Sequence, residues 1–142
     1  MKSNSIYIAL LIFIISFSSC QEKTPQTTES IILLETTKSW NGDLLPKFPE
    51  GQPKVTITKI VIPPKTKLPK HLHPVITTGI VTKGKLTITD VNNQQKIMKA
   101  GDVLVEVSNT IHFGENTGSE TLEIIVFYIG NENSPNTILA EK

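Results

Sequence analysis

No arginine occurs among the 142 residues, so all 14 basic side chains are lysines, set against 13 acids. A net charge of +1 without one guanidinium fork leaves nucleic-acid binding no electrostatic footing, and nucleic acid is excluded as a partner. The single cysteine excludes an internal disulfide. No stretch shows a helical repeat of useful length. The longest apolar run, Ile6 to Phe17, has about 12 residues against the roughly 20 needed to cross a bilayer, which excludes a polytopic membrane protein. An apolar content of 38% with so little net charge excludes a disordered chain. What remains is one domain with a core of its own.

Lys2 followed by the apolar run IYIALLIFIISF suits the hydrophobic part of an export signal. Ser18 and Ser19 then precede Cys20. This arrangement resembles the lipobox of bacterial lipoproteins, with Phe17 where leucine is usual. The resemblance implies a signal peptide at residues 1–19 and lipidation of Cys20. The mature chain is then exported, either tethered to a bacterial membrane through that lipid or periplasmic. A plain secretory signal and an uncleaved anchor helix remain as alternatives. Residues 20–38 are expected to form the lipidated cysteine and a flexible tether, since Gln21 to Ser30 is polar, Thr-rich and interrupted by Pro25. Within it, Ile31 to Leu34 (IILL) is a candidate exchanged or pairing strand for a homodimer.

From residue 54 the apolar pattern has period two: Val55, Ile57 and Lys59 face one way, Thr56, Thr58 and Ile60 the other. Leu122 to Ile129 (LEIIVFYI) is rich in β-branched and aromatic residues. Turn signals at Pro63-Pro64, Lys83-Gly84, Asn92-Asn93, Gly101-Asp102, Asn109-Thr110 and Gly118-Ser119 bracket runs of roughly strand length. These features predict an all-β antiparallel sandwich or barrel over residues 39–142, with its core at 54–130. Ser39 to Pro53, with three prolines and two glycines, is expected to be a surface loop whose Trp40 and Phe48 pack onto the barrel. The tail from Asn131 is polar and weakly patterned.

The three histidines carry the functional argument. His71 and His73 are two apart, so on an extended strand their rings share one face. His112 follows after chain enough for two hairpins. Three imidazoles on one face can hold a divalent metal ion and leave positions open for water or substrate.

The same residues resemble the two signature motifs of the cupin superfamily. In the first, His71, His73 and Gly84 stand in register, with Lys65 in place of the opening glycine. In the second, Gly101, His112 and Asn116 match, with Val107 and Asn109 in the proline and glycine places. The resemblance covers roughly residues 54–130. It implies a small antiparallel jelly-roll β-barrel with His71, His73 and His112 as metal ligands. The metal-binding glutamate of the family falls at Thr77 or Thr78, neither of them a strong ligand. A neutral ligand set would leave the ion its full charge. All-histidine cupins with oxygenase activity make Fe(II) the favoured ion, with Mn, Zn, Ni or Cu as alternatives.

Glu106, six residues before His112, is the candidate catalytic base, or a further ligand. Thr77 is placed beside the ligands; Asn116 either orients His112 or satisfies backbone groups at a turn. Gly84 and Gly101 are expected to supply positive φ at hairpins. The expected function is an exported metal-binding cupin with an oxygenase-like activity on a small molecule. The alternative is a surface lipoprotein that binds a small molecule or metal without turnover. Acid–base partners are few (Glu106, then Glu115, Glu123 and Tyr128), which disfavours proton-transfer chemistry.

Overall fold

A computed structural model of the chain describes residues 27–141; the expected signal peptide and Cys20 lie outside the described residues. Among the described residues, ten strands make two antiparallel sheets. The first has four strands in the order β1 (Pro53–Ile62), β9 (Leu122–Asn131), β4 (Ile76–Lys83) and β7 (Val103–Val105). The second runs β10 (Ile138–Leu139), β3 (His71–Leu72), β8 (His112–Asn116), β5 (Lys85–Asp90) and β6 (Gln95–Lys99), with β2 (Thr66–Lys67) also on β8. The fold is the expected all-β jelly roll.

The long strands form where β-branched residues are densest. β1 and β9 pair without interruption from Pro53↔Asn131 to Ile62↔Leu122. Alternation then sends Leu122, Ile124, Val126 and Tyr128 of β9 inward. There they meet Leu86 and Ile88 of β5 and Met98 of β6 in one core between the sheets. Each such side chain contributes roughly 1.5–3 kcal/mol by leaving water. On β1 the inward set is Thr56, Thr58, Ile60 and Ile62, while Val55, Ile57 and Val61 lie on the exposed face.

Turn chemistry sets the hairpins. Gly84 has φ +77°, and a Cβ there would come within 2.9 Å of the Thr121 carbonyl oxygen, so only glycine fits. Lys65 (φ 56°) and Asn109 (φ 54°), which replace motif glycines, keep the left-handed backbone those places require.

One expectation needs correcting, and the tail has more structure than its sequence suggests. Trp40 packs against the core as expected, and its backbone N–H donates to the Val105 carbonyl at 2.9 Å. Phe48, expected to plug the barrel, is instead 72% exposed, because the stretch 46–49 around it is in no strand or bridge to hold it down. Ile31 to Leu34, the candidate pairing strand of a homodimer, is exposed and unpaired within the single chain, which leaves the dimer expectation as it stood. The weakly patterned tail supplies β10, in register Ile138↔Leu72 and Leu139↔His71, and the Ala140 N–H donates to the Lys70 carbonyl at 2.9 Å.

Candidate metal centre

His71 and His112 face each other across the β3–β8 ladder, and His73 follows where β3 ends. The three rings converge, with centroids 4.9 Å (His71–His73), 4.6 Å (His71–His112) and 5.0 Å (His73–His112) apart. One nitrogen from each lies within 4.8 Å of the other two.

Each ring is fastened by the same device. Nδ1 of His71 bonds the Pro69 carbonyl at 2.8 Å, that of His112 the Thr110 carbonyl at 2.8 Å, and that of His73 the Asn136 carbonyl at 2.9 Å. A carbonyl oxygen only accepts, so every Nδ1 carries the proton and every Nε2 offers its lone pair. Burial pushes all three imidazoles below the usual histidine pKa, outweighing the upward pull of the carbonyls; His73 falls to about 4. The rings are therefore neutral at pH 7, the form a metal ligand requires.

Glu106 follows β7, and its backbone N–H donates to the Thr77 carbonyl at 2.8 Å, which places it beside β4. Its Oε2 sits 3.7 Å from His112 Nε2, too far for a hydrogen bond, and both atoms are buried without a partner. Burial raises the Glu106 carboxyl to about 7, against the downward pulls of His71 and the Trp40 indole N–H. Two orphaned polar atoms facing one another beside two more imidazole nitrogens fit a divalent cation, which would satisfy both. His71, His73 and His112 can hold such an ion, with Glu106 at its edge.

The other candidates divide. Thr77 is fully buried and lines the cavity, but its hydroxyl donates to the Val75 carbonyl at 3.3 Å and not to a histidine. Asn116 takes the turn role and not the orienting one. Its Nδ2 donates to the carbonyls of Ile62, Pro63 and Glu120, and its Oδ1 accepts from the Gly118 N–H. Glu123 pairs with Lys59 at 2.7 Å, and neither it nor Glu115 lines the cavity.

The tail adds residues that sequence reasoning did not assign. Besides the Asn136 carbonyl, Thr137 Oγ1 lies 3.2 Å from His73 Nδ1. Thr137 and Leu139 line a cavity of about 270 Å³ that opens from the histidines into the space between the sheets. The Tyr128 ring stands 5.4 Å from His73, and burial raises its phenol above the usual value. Its inward parity on β9 was the available signal; a backbone carbonyl such as that of Asn136 leaves none.

Residues 58–128 match the Cupin_2 family, described as the cupin domain, and the chain belongs to that family. Solved structures show the same fold. An oxalate oxidase in complex with the substrate analogue glycolate shares 24% identity over 61% of this chain and 46% of its own, at a TM-score of 0.51. This chain thus spans less than half of that protein. A conserved protein with a double-stranded β-helix domain from Klebsiella pneumoniae subsp. pneumoniae shares 24% over 66% of this chain and 89% of its own, TM-score 0.52. A cupin-like protein from Thermotoga maritima shares 23% over 62% and 65%, TM-score 0.55. No curated protein matches the chain in sequence.

Proposed function

We propose that this chain is an exported metal-binding cupin, anchored through a lipid on Cys20, that acts on a small molecule in an oxygenase-like manner. The observation that carries the reading is the shared fastening of three imidazoles, His73 and His112 buried and His71 half-buried, which ties up each Nδ1 and leaves one nitrogen of each ring within 4.8 Å of the others. Fe(II) is the favoured ion, with Mn, Zn, Ni and Cu as alternatives. When bound, such an ion supplies Lewis acidity and, for iron, activation of oxygen. The chain's own contribution is orientation and exclusion of water. The carbonyls of Pro69, Thr110 and Asn136 hold the rings, the apolar sheet interior keeps the site dry, and Glu106 accepts or returns a proton beside His112.

One observation favours a second reading, capture of a small molecule without turnover. Glu106 and Tyr128 are the titratable groups lining the cavity besides the histidines, which gives proton-transfer chemistry few partners. Elemental analysis of anaerobically purified protein tests the metal, with about one equivalent of iron expected. Oxygen consumption against a panel of small molecules then separates the readings, since a non-catalytic binder consumes none. Release of Cys20→Ala from the membrane fraction tests the anchor; continued tight association overturns lipidation.

A further inference from the structure

The cavity is strongly one-sided. Its walls are Ile60, Leu68, Leu86, Ile88, Ile124 and Val126, contributed by both sheets and the segment before β3. Its polar groups all gather at the histidine end. Tyr128 and Thr137 stand against His73, Glu106 against His112, and Thr77 is tied to Glu106 through the backbone. Although the chain has 14 lysines, none of those among the described residues lines this space. A charged group on the part of a ligand that lies among those walls would be buried without a partner, at a cost of several kcal/mol.

Size narrows the occupant further. A dry protein cavity of about 150 Å³ holds a benzene molecule. At about 270 Å³ this one has room for a single ring with small substituents. We infer that it takes a small, uncharged, phenol-type molecule, its oxygen at the histidine end and its ring between the sheets, and that it discriminates against dicarboxylates of similar length. The inference rests on the function proposed above only in treating the histidine end as the place where the ligand's oxygen is received.

The test is calorimetric titration of the full-length chain, metal-loaded and metal-free, with p-cresol and separately with glutarate. Metal content is measured on the same samples. The metal-loaded protein is expected to bind p-cresol at least ~10-fold more tightly than glutarate, with the negative heat-capacity change of apolar burial. Equal affinities, or a preference for glutarate, overturn the inference. Ile60→Trp, which fills the cavity from β1, is expected to weaken p-cresol by ~10-fold or more while far-UV circular dichroism and metal content stay unchanged. Unchanged p-cresol affinity in a folded Ile60→Trp protein also overturns it; should that variant not fold, the wild-type comparison decides. The two readings fail separately. Metal uptake without p-cresol preference defeats only the inference about the ligand, and p-cresol preference without metal uptake defeats only the metal centre.

Discussion

The two sheets solve different problems. The four-stranded sheet is built on β1 and β9, whose ten-residue strands pair along their full length, and it contributes apolar wall, Thr77 and Tyr128 to the cavity but no histidine. The opposite sheet carries all three histidines at or beside short strands, β3 having only two residues and β8 five. A short ladder orients a side chain poorly, so each ring there is held by a carbonyl from flanking chain: Pro69, Thr110 and Asn136. The longest continuous pairing and the histidines thus lie in opposite layers. Mutations should separate them.

The largest effect is expected from His71→Ala. It removes an ion ligand and should abolish stoichiometric metal by elemental analysis while far-UV circular dichroism stays that of the parent. Unchanged metal content would remove His71 from the ligand set. In the other layer, Leu122→Ala empties a fully buried position of β9 and should cost about 2–5 kcal/mol in denaturant unfolding. At a temperature where that variant remains folded, its metal content should match the parent; a parallel loss of both would mean that the layers are not independent.

A third expectation concerns pH. His73 has a folded pKa near 4 against 6.5 unfolded, so the unfolded chain binds more protons between those values. In metal-free protein this group's contribution is intact above pH 6.5 and lost as pH falls toward 4. Glu106 works in the opposite direction: its pKa is raised to about 7 from 4.5, so its contribution is present below 4.5 and lost as pH rises through 7. Denaturant midpoints of metal-free His73→Ala should fall less steeply than the parent's between pH 6.5 and 4; identical slopes would show that His73 is not neutral in the native state. The smallest effect is expected for Thr137→Val. The Asn136 carbonyl still holds His73 Nδ1, so metal affinity should weaken by ~10-fold or less, at the low end for groups that orient a ligand. A loss as large as that of His71→Ala would make Thr137 the principal support of His73.

Much of this arrangement was legible from spacing. Period-two alternation located β1 and β9, and it did not say that Val55 and Ile57 face outward while Thr56 and Thr58 turn in, because both sets are β-branched. The i, i+2 spacing of His71 and His73 was enough to put them on one face, and the cupin motif spacing added His112. Glu106 was visible as a residue and not as a direction, since the turn at Asn109 interrupts the parity count. The tail was illegible for a plainer reason. Asn136 acts through its main-chain oxygen, which every residue type possesses, and a two-residue strand such as β10 is too short to display a period. Phe48 misled because a large apolar side chain predicts burial only where backbone pairing brings it to a surface, and residues 46–49 are in no strand or bridge.

That tail lies beyond residues 58–128, the part matched by the cupin family, yet it reaches back to a ligand. Laboratory handling is affected. A purification handle fused just after Leu139, or a protease that nicks the backbone near Asn136, would disturb the chelating pocket without touching the barrel. A hexahistidine fusion at that end would add a competing chelator as well. Preparations made in that way would under-report metal, and an inert sample could be mistaken for an inert protein.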